Sequence, residues 1–87
     1  MPIVFEDLEK YGFFVNKHGE MELQKEEIHY GIRRIVVTQM NWVYIEHCWG
    51  IPFNEDENSS VLCANCGTME QLISLCNIVL GINISAS

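Results

Sequence analysis

Near the C-terminus, the segment from Met69 to Leu80 has apolar side chains on almost every side of the helix it would form, and this constrains the fold more than any other feature. Met69, Leu72, Ile73, Leu75, Cys76, Ile78, Val79 and Leu80 leave only a narrow polar stripe of Glu70, Ser74, Asn77 and Gly81, with Gln71 beside it. A helix of this kind has to be central in a fold or pressed against another chain. Its start is marked by Thr68 and Gln71, which match a capping box: the threonine oxygen accepts from the third helical N–H while the glutamine reaches back to the cap. In a chain of 87 residues, covering such a helix takes a large share of what remains. A homo-oligomer is therefore expected, and a monomer that wraps the helix with its own chain is the alternative.

The length allows one domain, spanning 1–87, and the apolar fraction of 48% is that of a folded protein despite a formal charge of −7. Phe5, Phe13, Phe14, Trp42, Trp49 and Phe53 supply large surfaces for burial. Charge is unevenly spread. From Ile35 to Ser87 there is no lysine or arginine, so this part of the surface cannot neutralise phosphates, and nucleic acid is excluded as a partner. Arg33 and Arg34 form the only basic spot free of nearby carboxylates, too small for a nucleic-acid footprint. Asn77, Gly81 and Asn83 interrupt the C-terminal apolar run, which argues against a membrane span. Glu6, Asp7 and Glu9 follow Met1 closely, against a secretory leader. The expected compartment is the cytoplasm, where the four cysteines would be thiols or metal ligands rather than disulfides.

Along the chain, Ile3 to Tyr11 reads as a short helix with Phe5 and Leu8 on one side, ended by Gly12. Phe13–Val15 and Met21–Leu23 flank Asn16-Lys17-His18-Gly19, the pattern of a β-hairpin whose glycine supplies the positive φ of the connection. From Gln24 onward, Ile28, Ile32, Ile35, Val36 and Met40 recur at helical spacing, with Glu26, Glu27, His29, Arg33 and Arg34 opposite. This predicts a middle amphipathic helix. Whether it continues to about His47 or gives way to a strand is open, because Ile35–Thr38 and Trp42–Ile45 are rich in strand-preferring side chains. Gly50-Ile51-Pro52 breaks the segment, and 54–60 reads as a polar loop. The expected fold is α+β: an N-terminal hairpin packed with a middle helix and an apolar C-terminal helix, or, alternatively, mostly α.

Cys63-Ala64-Asn65-Cys66-Gly67 is the most specific short motif, since two thiolates at this spacing can converge on one tetrahedral ion. Cys48 and His47 are the upstream candidates to complete a zinc site, although adjacent side chains point apart in any regular element. Small buried cysteines are the competing reading. A redox dithiol fits poorly, because only twenty residues follow Gly67 and they read as one helix and a tail. No nucleophile–base pair, phosphate-binding glycine run or calcium loop is present, so no enzymatic activity is expected.

Two functions follow. The first, which needs no cofactor, is a small non-catalytic interaction module, such as an inhibitor, immunity or anti-host factor, that docks an acidic surface on a basic protein. Its candidate residues are Glu46, Glu55, Asp56, Glu57 and Glu70, with Trp49 and Phe53 as apolar anchors. The second is a zinc-stabilised regulatory module built on Cys63 and Cys66, with Cys48 and His47 as further ligands.

Overall fold

A computed structural model describes residues 1–27, 31–49 and 59–85. The chain opens with a 3₁₀ helix, Phe5–Tyr11, followed by strands β1 (Phe14–Val15), β2 (Met21–Glu27), β3 (Gly31–Val37), β4 (Val43–Trp49) and β5 (Ser59–Ala64), and by helix α1 (Met69–Leu80). The five strands form one sheet in sequence order, and every neighbouring pair is antiparallel. Three expectations hold at the ends of the chain. The first segment is helical and stops at Gly12, which takes φ of 98°. Phe14 and Val15 pair with Glu22 and Met21 across a hairpin, and Gly19 takes φ of 75° in its turn. The capping box forms, with Gln71 N–H donating to Thr68 Oγ1 at 3.1 Å and Thr68 N–H donating to Gln71 Oε1 at 3.2 Å.

The middle of the chain overturns both the hairpin-plus-two-helices arrangement and the mostly-α alternative. Where a second helix was expected, β3 and β4 run antiparallel with seven residue pairs in register, from Gly31 opposite Trp49 to Val37 opposite Val43. The reason lies in the position of β3 at the centre of the sheet, where its second half, Ile35 to Val37, is buried on both faces. Ile35, Val36 and Val37 are all buried, so the polar–apolar alternation that would have marked a strand is erased and helical spacing appears by coincidence. The β-branched run then decides for the pleat. Between the strands, Thr38 N–H donates to Trp42 O and Asn41 N–H to Thr38 O, each at 2.9 Å, while Thr38 Oγ1 accepts from Trp42 N–H. Asn41 closes this turn at φ of 63°, a conformation asparagine tolerates better than most residues.

The core lies between the sheet and α1. Met69, Leu72, Cys76 and Leu80 form the helix's buried stripe and meet Met21, Ile35, Val37 and Val43, with Ile3, Leu8 and Phe13 closing the side. Ile73, Leu75 and Val79 are partly covered by the same cluster, as are Ile82 and Ile84 beyond the helix. The all-round apolar helix is thus largely wrapped by its own chain, and Ile78, 81% exposed, is the one large apolar residue on it left to solvent. Among the described residues no helix is long and apolar enough to cross a membrane.

Arg33 and Arg34, adjacent in sequence, separate across the sheet because strand side chains alternate. Arg33 lies on the α1 side, where its Nη1 donates to Val79 O at 3.3 Å in the last turn of the helix. Such a bond satisfies a terminal carbonyl and complements the negative end of the helix dipole. Arg34 points to the other face. The expected basic spot therefore does not exist as one patch.

Candidate interaction groove

The register sends Glu22 and Gln24 of β2, Ile32, Arg34 and Val36 of β3, Tyr44, Glu46 and Cys48 of β4, and Val61 and Cys63 of β5 to the face away from α1. This face is concave, because the β1–β2 turn flanks it with Lys17, His18 and Glu20, and it holds a groove of about 720 Å³. Phe14, Val36, Tyr44 and Val61 give the groove apolar walls, while Glu20, Glu22, Glu46 and Arg34 give it polar ones.

Its floor is a chain of polar contacts. Arg34 Nε lies 3.4 Å from Glu22 Oε2, and both side chains are almost covered, at 13% and 12% exposed. Arg34 Nε also donates to Gln24 Oε1 and its Nη1 to Cys48 Sγ, each at 3.4 Å. On the far side of the ion pair, Asn16 Nδ2 donates to Glu22 Oε1 at 3.2 Å. Asn16 Oδ1 in turn accepts from the backbone N–H groups of His18 and Glu20, at 2.9 and 3.0 Å. The network therefore locks the hairpin turn to β4 across three strands. Neutral neighbours, Asn16, Gln24 and Cys48, add hydrogen bonds to this shielded charge pair, which helps a covered pair to be tolerated. Glu46 stands opposite Arg34 in the β3–β4 register, half-buried, and among the described residues none donates a hydrogen bond to its carboxylate.

The residues picked from sequence fall in several places. Glu46 is in the groove. Glu70 is exposed on the first turn of α1, on the opposite side of the sheet, where its carboxylate meets the Met1 ammonium at 3.2 Å. Its own backbone N–H, and then that ammonium, hold its carboxyl below the usual range. Glu46 and Glu70 thus do not form one surface. Trp49 ends β4 opposite Gly31, but its side chain, like Phe53, Glu55, Asp56 and Glu57, lies outside the described residues.

The zinc candidates are spread over both faces. His47 pairs with Arg33 and Ser60 on the α1 side, whereas Cys48 is buried against Arg34 on the groove side. Cys63 shares the groove face but pairs with Tyr44, four residues along β4 from Cys48, a separation of roughly 13 Å. Cys66 turns toward the core, its Sγ 3.9 Å from Thr68 O. Among the described residues no three His, Cys, Asp or Glu side chains come together in a group that could hold a metal.

Burial pushes the Cys66 thiol up, and burial together with the neighbouring Cys66 pushes Cys76 from an ordinary 9.0 to about 12. Both are protonated near neutral pH, unlike the reactive thiolates that attack disulfides. A stability dependence follows. The unfolded chain releases the Cys76 proton near its ordinary value and the folded chain only near 12, so this contribution to stability is fully present below about pH 9 and is lost as pH rises toward 12. The urea midpoint should drop across that window, and the drop should be shallower in Cys76→Ala. An equal slope in the variant would place the alkaline transition on other groups.

The groove residues Phe14, Asn16, Glu22, Arg34 and Tyr44 were not among the site residues expected from sequence. Their signal was the alternation of Glu22 with Gln24 and of Arg34 with Val36, readable only once the segment is taken as strand. The chain matches no family model, and no match to it is found among curated proteins or solved structures.

Proposed function

We propose that this chain is a non-catalytic interaction module whose groove receives a basic, partly aliphatic segment of a protein partner. The observation that carries the reading is the groove itself, a concave sheet face with aromatic and aliphatic walls in which Arg34 is occupied by Glu22 while Glu46 keeps a carboxylate toward the ligand space. A lysine or arginine side chain entering there meets that carboxylate and the rings of Phe14 and Tyr44, which attract cations at their faces. The charge of −7 steers a cationic partner toward the chain and raises its association rate. Glu55, Asp56 and Glu57 belong to the chain between β4 and β5, and their negative charge adds to this steering.

An acidic protein attracts any polycation to some degree, so the test has to localise binding. The probe is an amphipathic lysine–leucine peptide, titrated by calorimetry. Glu46→Gln and Tyr44→Ala should each weaken binding about fivefold or more, roughly 1 kcal/mol. Glu9→Gln, an exposed carboxylate on the 3₁₀ helix outside the groove, should leave it within twofold, and added salt should weaken the wild type. Equal effects at Glu46 and Glu9 would mean diffuse attraction, and the groove would lose its role.

A further inference from the structure

The two edges of the sheet are built differently. On one side β1 spans only Phe14–Val15 and runs into Asn16-Lys17-His18, so shortness and charge guard it. On the other side β5 is six residues long, Ser-Ser-Val-Leu-Cys-Ala, with no charge and no proline, and it pairs regularly with β4 from Ser59 to Ala64. Among the described residues, its outer row of backbone N–H and C=O groups faces no other strand of the sheet. Natural sheets blunt such edges with lysine, proline, bulges or brevity, and β5 has none of these. Val61 and Leu62 are 59% and 65% exposed on its two faces, and the exposed Trp42 and Met40 continue the apolar surface past Cys63 and Ala64.

We infer that β5 is a self-association edge, pairing antiparallel with β5 of a second copy to make one sheet continuous across a dimer. Charge permits this occupant at the edge itself: two chains of net charge −7 repel, but β5 carries no ionisable carboxylate or cation to add to that repulsion where the strands would meet. The closest groove carboxylate, Glu46, sits one strand inboard, so two copies of it would be about 14 Å apart, beyond the screening length of about 8 Å at physiological salt. A basic foreign strand would find no carboxylate on β5 to recognise.

The pairing is also self-consistent in shape. A two-fold axis normal to the sheet must pair one residue with its own copy. Centred on Leu62, it sets the two leucines together on the α1 face, Val61 against the other copy's Cys63 on the groove face, and Ser60 against Ala64. Large side chains meet at the centre and small ones at the flanks. The edge involves far fewer residues than the roughly 20–30 a side of a standard interface, so the dimer is of micromolar strength. Nothing in this pairing depends on what enters the groove.

Sedimentation velocity on the full chain, from low- to high-micromolar concentration, should show a monomer–dimer equilibrium, with β5 amides exchanging more slowly as concentration rises. Leu62→Lys and Leu62→Glu, at an exposed site, should each remain folded by circular dichroism and weaken self-association about tenfold or more. Mixed together they should associate again, because the ammonium introduced in the first variant would oppose the carboxylate introduced in the second. A monomer at all concentrations, or a dimer unchanged in both variants, overturns the inference. Loss in each variant without recovery on mixing overturns the register centred on Leu62. Concentration-dependent exchange on the wild type keeps the test decisive if a variant does not fold.

Discussion

Leu72→Ala should lower stability by about 3 kcal/mol, the middle of the range for emptying a fully buried leucine site. Leu72 is 0% exposed and sits at the centre of the helix stripe that meets the sheet. Neither the sheet, held by ladders on both sides of β3, nor the capped helix can move far to fill the vacated space. For a chain of 87 residues, total stability is roughly 4–13 kcal/mol, so this single truncation removes about a fifth or more of it. The melting temperature should fall by about 15 °C. Ile78→Ala, on the exposed side of the same helix, should change stability by less than about 0.5 kcal/mol. Denaturant titration of both variants checks the orientation of α1. Comparable losses at the two positions would mean that the helix is buried all round, as its composition alone suggested, and that the fold described above is incomplete.

Arg34→Met should be nearly as damaging, at about 3 kcal/mol, for a different reason. The variant leaves the Glu22 carboxylate in its covered position with Asn16 as its remaining hydrogen-bond donor, and an uncompensated shielded charge is costly. The double variant Glu22→Leu/Arg34→Met removes both charges and keeps comparable volume, so most of the loss should return. Urea midpoints for the two single variants and the double variant form a closed cycle that isolates the pair. Additive losses would show that Glu22 and Arg34 act independently, and that the network does not brace the groove. A coupling of about 1 kcal/mol or more in magnitude is the expected outcome.

These two experiments bear on parts of the molecule that were unequally legible from sequence. The capped helix was readable because its signals are local: Thr68 and Gln71 are three residues apart, and Gly81 takes the left-handed conformation at the end, φ 66°. The hairpin turn was readable for the same reason, since Gly19 and Asn16 carry its geometry within five residues. The middle strands were legible only in part: Ile35–Thr38 and Trp42–Ile45 left strand open, but what makes Ile32–Val37 a strand is its neighbours on both sides and the burial of Ile35 to Val37 on both faces, neither of which is written locally. Asn41 was the overlooked local clue, a residue suited to positive φ between two β-branched runs.

The groove suffered from the same blindness. Its ion pair joins residues 22 and 34, and its rim joins residues from 14 to 61, so no spacing rule could assemble it. Arg33 and Arg34 were read as one basic spot from their adjacency in sequence, whereas the two-residue period of a strand sends them to opposite faces. Among the described residues, Glu46, chosen for its charge, and Cys48, chosen as a metal ligand, fell where the groove is. The cysteine motif illustrates the opposite failure: Cys63 and Cys66 are close in sequence, but the end of β5 leaves the first exposed and the loop into α1 turns the second toward Cys76 and the core.

The face of the sheet away from α1 is the proposed site for a basic segment of the partner. Two-dimensional amide and aromatic NMR of the isotope-labelled chain, titrated with the lysine–leucine peptide, addresses it most directly. Saturable shifts concentrated at Phe14, Glu22, Val36, Tyr44 and Glu46 are the predicted result, with the α1 amides from Glu70 to Leu80 little changed. Shifts spread evenly over the exposed carboxylates, or concentrated on α1, would contradict it.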